Sequence, residues 1–326
     1  MAAINSMVVK DYKISSGIAP IGPYSRDGMI SYAQNFEDVM LNRVFGTQPR
    51  GFYIDVGAAD PVNLSVTKWF YDHGWSGINI EPVPAFHEKL MRERPRDINL
   101  RCGAGATSGE ARFHEYPVKE WSTFNLELRP SEDVAADAPR EIVVPLRTLN
   151  EIIEENAPGR EIDFLKIDVE GWEEDVLRGL DFRKYRPTVI LAEAVDRENQ
   201  KYAAEAIDKI LDGAGYLSVY FDGLNNFYLK SERADLSKNF STPLNVYDDF
   251  KLSREVELEK TVDMQRAEIA QAHVDLPSRM AQIETLTSML KQSEAERSNT
   301  RMLWMALLRS TKAGRVALHV CRLLKR

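Results

Sequence analysis

Six acidic side chains stand where apolar runs give way to turns. Phe52–Val56 carries Asp55 and leads into Gly57-Ala58-Ala59-Asp60-Pro61. A second run, 77–81, ends on Glu81, and a third, 162–169, carries Asp168 with Glu170 just beyond it. A fourth, 188–193, ends on Glu193. A buried strand, a tight glycine turn, a returning helix and a second strand ending on an acid together form a nucleoside site. The turn admits the cofactor's polar chain and the acid bonds the ribose hydroxyls. Alternation along a strand points Asp168 and Glu170 the same way. Two acids so placed can hold a divalent metal, accept a proton or orient a substrate hydroxyl. Glu193 is a third acid at the same sheet edge.

The turn itself selects among cofactors. Dinucleotide sites use G-x-G-x-x-G so that backbone and a helix N-terminus approach a pyrophosphate. In the corresponding register here, Gly57 to Val62, the second and third glycines are missing. Asp60 and Pro61 stand where a pyrophosphate needs free N–H groups and no negative charge. A cofactor with a cationic, non-phosphate chain fits better, and S-adenosylmethionine (SAM) has a sulfonium, an ammonium and one carboxylate. Asp55 and Asp60 are expected to face its positive groups, turn amides its carboxylate, and Glu81 its ribose. The five histidines, His73, His87, His114, His273 and His319, show no metal spacing. Neither G-x-S-x-G nor a Walker loop is present.

The elements that position these residues read as repeated βα units. Ser31 to Gln34 has the form of a capping box, predicting a helix from Ser31 to about Phe45 that Gly46 and Pro49 end. Helices are also predicted over 63–73, with Leu64, Trp69 and Phe70 inward, and over 84–94, 149–156, 172–179 and 198–211. Strands are predicted over 52–56, 77–81, 98–102, 162–169 and 188–193, with extended pieces at 110–116 and 141–145. A hairpin, 217–221 with 227–230, crosses Asp222-Gly223-Leu224-Asn225-Asn226. Such a pattern implies an α/β fold with a doubly wound parallel sheet covered on both faces and an antiparallel hairpin at one edge.

Charge divides the chain. Of 42 Lys and Arg, eight lie in 297–326, where there is no Asp or Glu, so the rest carries all 50 acids against 34 bases. An acidic body is a poor nucleic-acid platform. The two cysteines, Cys102 and Cys321, allow no disulfide framework and favour a reducing compartment. The first 30 residues lack a basic n-region and apolar h-region, which predicts no secretory signal. The expected location is cytoplasmic, or peripheral on the inner face of the membrane.

Four segments follow: a leader (1–30), a catalytic domain (31–249), a helical stalk (250–296) and a basic tail (297–326). Val262, Ile269, Leu276, Ile283 and Leu290 recur every seven residues, the a-seam of a coiled coil. The d positions, Gln265, Ala272, Arg279, Leu286 and Ser293, are poor, and Pro277 is expected to interrupt or kink the helix. Two readings stand: a stalk that pairs with a second copy, or one solvated helix. The tail mixes Met302, Leu303, Trp304, Leu307 and Leu308 with a single charge sign, the composition of a helix in an anionic membrane interface. Packing on a partner helix and a disordered tail are the alternatives.

Ser31-Tyr-Ala-Gln-Asn-Phe-Glu-Asp38, Gly51-Phe-Tyr-Ile-Asp-Val-Gly-Ala-Ala-Asp-Pro61, Gly74-Trp-Ser-Gly-Ile-Asn-Ile-Glu-Pro82 and Ile162-Asp-Phe-Leu-Lys-Ile-Asp-Val-Glu-Gly-Trp-Glu173 together resemble the FkbM family of SAM-dependent methyltransferases. The resemblance spans about Tyr32 to Lys230. It implies a seven-stranded Rossmann-like sheet in the order 3-2-1-4-5-7-6, with the hairpin as strands six and seven. It also implies methyl transfer to a hydroxyl oxygen, commonly of a sugar, glycan or polyketide. By position, Asp55, Gly57 and Ala58 would line the methionine end, with Ser65 in the following helix. Glu81 would hold ribose and Ala104 lie near adenine, while Asp168 and Glu170 sit at the methyl-transfer end. Many relatives have Asn or His after the glycine turn, where this chain has Ala59-Asp60. The leader and residues 106–140, including Trp121, Ser122 and Thr123, are expected to build the acceptor pocket. The competing readings are a nicotinamide oxidoreductase on a similar sheet, and a non-catalytic SAM-binding module carried by the stalk.

Overall fold

The structure is a computed structural model that describes residues 28–116, 122–124, 139–195 and 201–310. The chain divides into two units, Met1–Ser253 and Arg254–Arg326. Trp121, Cys321, His319, most of the leader and the end of the tail lie outside the described residues.

A short strand β1 (Met29–Ser31) precedes α1 (Glu37–Phe45). Then come β2 (Phe52–Val56), α2 (Lys68–Asp72), β3 (Ser76–Ile80), α3 (Pro84–Glu93) and β4 (Ile98–Leu100). β5 (Gly103–Ala104), β6 (Gly109–Glu115) and β7 (Arg140–Arg147) form a small separate sheet in the order β5-β7-β6. The main fold resumes with α4 (Leu149–Asn156), β8 (Phe164–Ile167), α5 (Glu173–Arg178), β9 (Val189–Glu193) and α6 (Glu205–Gly213). It closes with the hairpin β10 (Tyr216–Phe221) and β11 (Asn225–Lys230), and β12 (Phe250–Leu252) then pairs in parallel with β1.

The seven main strands run in the order β10-β11-β9-β8-β2-β3-β4. Only the hairpin is antiparallel: β11 pairs with β9 and β10 with β11. This is the order that the resemblance implied. From β2 the chain first builds outward to β3 and β4, then returns to lay β8 and β9 on the other side. The crevice between β2 and β8, at their carboxyl ends, is therefore the topological switch point where α/β sheets bind ligands.

Both faces of the sheet are buried, which is why its strands read as near-continuous apolar runs. Phe52, Ile54, Val56, Ile78, Leu165, Ile167 and Ile190 face one layer, against Leu149, Ile152 and Ile153 of α4 and Val176 and Leu177 of α5. Tyr53, Phe164, Leu191 and Phe227 face the other, against Met40, Leu41 and Phe45 of α1 and against Phe70 and Trp75. Each such large side chain contributes about 1.5–3 kcal/mol on burial.

Several boundaries differ from the sequence reading. Ser31 does not cap a helix: it lies in β1, and its hydroxyl donates to Asp38 Oδ1 at 2.7 Å. The helix starts six residues later, after Phe36 in a left-handed conformation (φ 64°). The Asp38 carboxylate takes the amides of Tyr32, Ala33 and Val39, and this holds residues 32–36 as a loop. The helix expected over 63–73 is confined to α2, because Asp60 accepts the amides of Val62 and Asn63 and turns the chain first. Leu64, expected inward, is exposed, with φ 59°. Of the strand expected over 98–102 only β4, Ile98–Leu100, forms, β5 of the small sheet beginning at Gly103, and α6 starts at Glu205, later than expected.

In the second unit, α7 (Ser253–Ser310) is one continuous helix that Pro277 does not interrupt. Most of its apolar side chains, including Val262, Ile269, Leu276, Ile283 and Leu290, are exposed. Among the described residues, no helix is long and apolar enough to cross a membrane.

Candidate active site

Gly57 ends β2 at the switch point with φ 75°. A Cβ there would overlap the carbonyl oxygen of Asp168, so only glycine allows the β2 turn and the β8 loop to meet. The Asp168 amide donates in turn to the Val56 carbonyl at 3.1 Å. The turn is satisfied from within: Gly57 N and Ala58 N donate to Ile80 O, at 3.0 and 3.3 Å. The Ala59 amide donates to Glu81 Oε2 at 2.8 Å, and Ala59 takes a left-handed conformation, φ 48°. The amides expected to receive the SAM carboxylate therefore already hold the turn's shape.

Glu81 stands just past β3 and is buried. Besides Ala59 it takes the Val83 amide on Oε1, at 2.7 Å. Burial raises its pKa to about 7 against the pull of those two amides and of Lys166. Each carboxylate oxygen has a second lone pair, so the two amides leave acceptor capacity for ribose hydroxyls.

Asp55 is buried in β2 and accepts from Thr67 Oγ1 at 3.0 Å. Its other oxygen lies 3.2 Å from Lys166 Nζ. In the sequence Lys166 is a lone charge within an apolar run, with no sign of a role. The ammonium donates to the Gly57 carbonyl at 2.7 Å and lies 3.5 Å from Asp168. Although burial opposes its charge, the Asp55 and Asp168 carboxylates outweigh that and hold its pKa above the usual lysine value.

Asp60 faces Lys89, 2.7 Å away, as well as the amides of its own turn. Burial opposes ionisation, yet Lys89 and those amides hold the pKa below the usual range. Ser65 lies before α2 rather than inside it, buried, and accepts from Arg94 Nη2 at 3.0 Å. Arg94, also missed, is buried and holds the Pro61 carbonyl through Nε at 3.1 Å. Ala58 and Ala104 are buried, the latter in β5.

Asp168, Glu170 and Glu193 converge. One carboxylate oxygen from each lies within 4.8 Å of the other two. Glu170 has φ 57°, and the following Gly171 has φ 84°, so the loop reverses sharply. Glu173 Oε1 closes it by accepting the amides of Val169 and Gly171 at 3.0 and 3.1 Å. Burial and the negative charges of Asp168 and Glu173 raise the Glu193 pKa to about 9, so Glu193 holds a proton at neutral pH. Three oxygen donors suit a hard divalent cation, which would relieve the same repulsion as that proton.

Glu37 and Asp38 were quoted as part of the resemblance but assigned no role. Glu37 is buried and takes the Asn35 amide and Asn225 Nδ2, each at 2.8 Å, which ties α1 to β11. The signal was there to read: two adjacent acids at the start of an otherwise apolar helix face.

A doubly wound sheet in this order, with a glycine turn and an acid trio across its switch point, is the architecture of a SAM-dependent methyltransferase. Residues 55–218, half of the chain, match the methyltransferase FkbM domain, and the protein belongs to that family. No curated protein sequence matches it. Among solved structures it is similar to a TehB-like SAM-dependent methyltransferase from Corynebacterium glutamicum, at 9% identity and TM-score 0.33, over 59% of this chain and 87% of that one. It is similar to a precorrin-6y C5,15-methyltransferase from Geobacter metallireducens at 14% and 0.33, over 64% and 100%. A third likeness is to the fibrillarin pre-rRNA processing protein of Methanococcus jannaschii, at 12% and 0.32, over 56% and 67%.

Proposed function

We propose that the protein transfers the SAM methyl group to a hydroxyl of a sugar, a glycan or a related natural product. The observation that carries this reading is the convergence of Asp168, Glu170 and Glu193 within 4.8 Å, beside the glycine turn. A hydroxyl is a poor nucleophile until a base accepts its proton, whereas the sulfonium methyl is already activated. The acceptor oxygen attacks the methyl carbon and the C–S bond breaks. Its electron pair stays on sulfur, giving S-adenosylhomocysteine, and the hydroxyl proton passes to Glu170 or Asp168. Glu193, already protonated, serves as a donor that orients the acceptor. Asp55 and Glu81 hold the methionine and ribose ends of SAM, with Gly57, Ala58, Asp60, Ser65 and Ala104 shaping the pocket around them.

A divalent ion bound by Asp168, Glu170 and Glu193 would lower the acceptor hydroxyl's pKa. Loss of turnover on chelation, restored by Mg2+ or Mn2+, identifies that form. The stalk is proposed to pair with a second copy, and the tail to hold the enzyme at an anionic membrane near lipid-linked glycans.

Incubation with methyl-labelled SAM and glycan fractions from the source organism tests the reading. Label in a fraction, stable to base and released as a methylated sugar, supports it. Tight SAM binding with no transfer to any fraction favours the non-catalytic module instead.

A further inference from the structure

Residues 122–124 are anchored at every position. Ser122 Oγ accepts from the Tyr116 amide at 3.1 Å. Thr123 is buried and exchanges both backbone hydrogen bonds with His114 of β6, at 2.9 and 3.2 Å. The Phe124 ring packs on Phe113 at 4.8 Å and on Trp172 at 5.6 Å. A Cβ on Gly103 of β5 would overlap that ring, so Phe124 also sits directly on the strand that carries Ala104. The segment thus touches both the cofactor-side strand and the acid loop.

Its contact with the acid loop is specific. Thr123 Oγ1 donates to the carbonyl oxygen of Glu170 at 2.9 Å, across 47 residues of chain. Glu170 is one of five described non-glycine residues with positive φ. Such a conformation is uncommon for glutamate and persists only where surrounding contacts impose it. Glu173 fixes the amides on either side of Glu170, and Thr123 fixes its carbonyl. The Glu170 carbonyl and the Gly171 amide belong to one peptide plane, which Thr123 and Glu173 hold from its two edges, and the Glu170 carboxylate lies with those of Asp168 and Glu193.

We infer that Thr123 is a positioning residue: its hydroxyl holds Glu170 in the left-handed conformation that brings the base to the acceptor. This rests on the reading of Glu170 as a group that receives the acceptor's proton. It goes beyond the pocket-wall role expected from sequence, because Thr123 is buried and its hydroxyl is spent on backbone. It also makes residues 122–124 a support of the loop that carries Glu170.

The test compares full-length wild type, Thr123→Val, which keeps the shape and loses the hydroxyl, and Thr123→Ser, which keeps the hydroxyl. Hydrogen–deuterium exchange needs no acceptor. Peptides covering 168–173 are expected to exchange about tenfold faster in Thr123→Val, as for loss of one buried hydrogen bond, and at the wild-type rate in Thr123→Ser. Peptides covering 55–62 should not change. With the glycan fraction that accepts label, kcat falls about tenfold in Thr123→Val while the KM for SAM holds, and Thr123→Ser restores it. Unchanged exchange in Thr123→Val overturns the inference, as does faster exchange with kcat intact or an equal loss in both variants. If no fraction accepts label, the acceptor class is at fault, and the exchange comparison still decides what Thr123 holds.

Discussion

Lys166 Nζ donates to the carbonyl oxygen of Gly57 at 2.7 Å, joining the middle of β8 to the turn that ends β2 across 109 residues. The same ammonium faces Asp55 and Asp168. It therefore sits under both halves of the site, the cofactor turn and the acid loop. Removing it frees the turn and leaves the buried Asp55 carboxylate, and the partly exposed Asp168, without their cation. Lys166→Met is expected to lower unfolding stability by about 3–5 kcal/mol, the cost of breaking a buried pair from one side. SAM affinity falls at least tenfold, with Lys166→Arg intermediate. Denaturant titration and calorimetry read the two effects, and a Lys166→Met protein with wild-type SAM affinity would remove Lys166 from the site.

Glu170 is expected to separate chemistry from binding. Glu170→Gln keeps size and polarity but cannot take a proton. Turnover should fall at least a hundredfold, the usual contribution of a general base, while the SAM dissociation constant stays within a factor of about two. Full activity of Glu170→Gln on the true acceptor would rule out Glu170 as the base and leave Asp168 as the candidate.

Buried acids also set how stability depends on pH. Burial raises the pKa of Glu37 and Glu81 to about 7, Asp38 to about 6 and Glu193 to about 9. In the unfolded chain these groups ionise near pH 4. A raised acid pKa means that the folded state keeps a proton the unfolded state has lost, so stability falls as pH rises between the two values. Their contribution is complete below about pH 4 and drains through pH 6 to 9. The melting midpoint of the ligand-free protein is therefore expected to fall steadily between pH 5 and pH 8. In Glu193→Gln the part of that fall between pH 7 and 9 should flatten. A midpoint that rises over this range contradicts the assignment.

What could be read from sequence was local. Buried parallel strands are written as apolar runs, and the turn chemistry of Gly57, Asp60 and Pro61 sits beside them, so β2, β3, β8 and their acids were visible. So was the sheet order, through the resemblance. Ser31 to Gln34 misled because a capping box and a loop wound around a carboxylate ask for the same residue types. Only the burial of Asp38 decides between them. Lys166, Arg94 and Glu37 were missed for one reason. Their partners, Gly57, Pro61 and Asn225, are far away in sequence, and a single charged residue in an apolar run carries no sign of what it will meet.

The tail offers a membrane prediction. Within 297–310, α7 exposes Met302, Leu303, Trp304 and Leu307 among Arg297, Arg301 and Arg309, with no acid. Single-signed charge beside bulky apolar groups is the recipe for an anionic interface. Sedimentation with vesicles containing anionic lipid is expected to pellet the full chain and not a chain ending at residue 296, and 0.5 M salt should release part of it, as screening requires. Equal pelleting of both chains would end the idea.

The stalk makes the last prediction. Val262, Ile269, Leu276, Ile283 and Leu290 keep a strict seven-residue spacing and are 43%, 58%, 51%, 63% and 62% exposed on α7. Isolated apolar surface residues need no explanation, but five on one heptad seam do. A strict seven-residue repeat drives left-handed pairing, because it keeps the seam facing a partner. The weak d positions, with Gln265, Arg279 and Ser293, predict modest affinity rather than an obligate assembly. Light scattering should therefore show the full chain moving from monomer toward dimer over micromolar concentrations. Ile283→Glu with Leu290→Glu should hold it monomeric while leaving SAM affinity unchanged, because neither residue belongs to the unit that carries the site. A full chain that stays monomeric at high concentration would leave α7 as a solvated helix and return its heptad to coincidence.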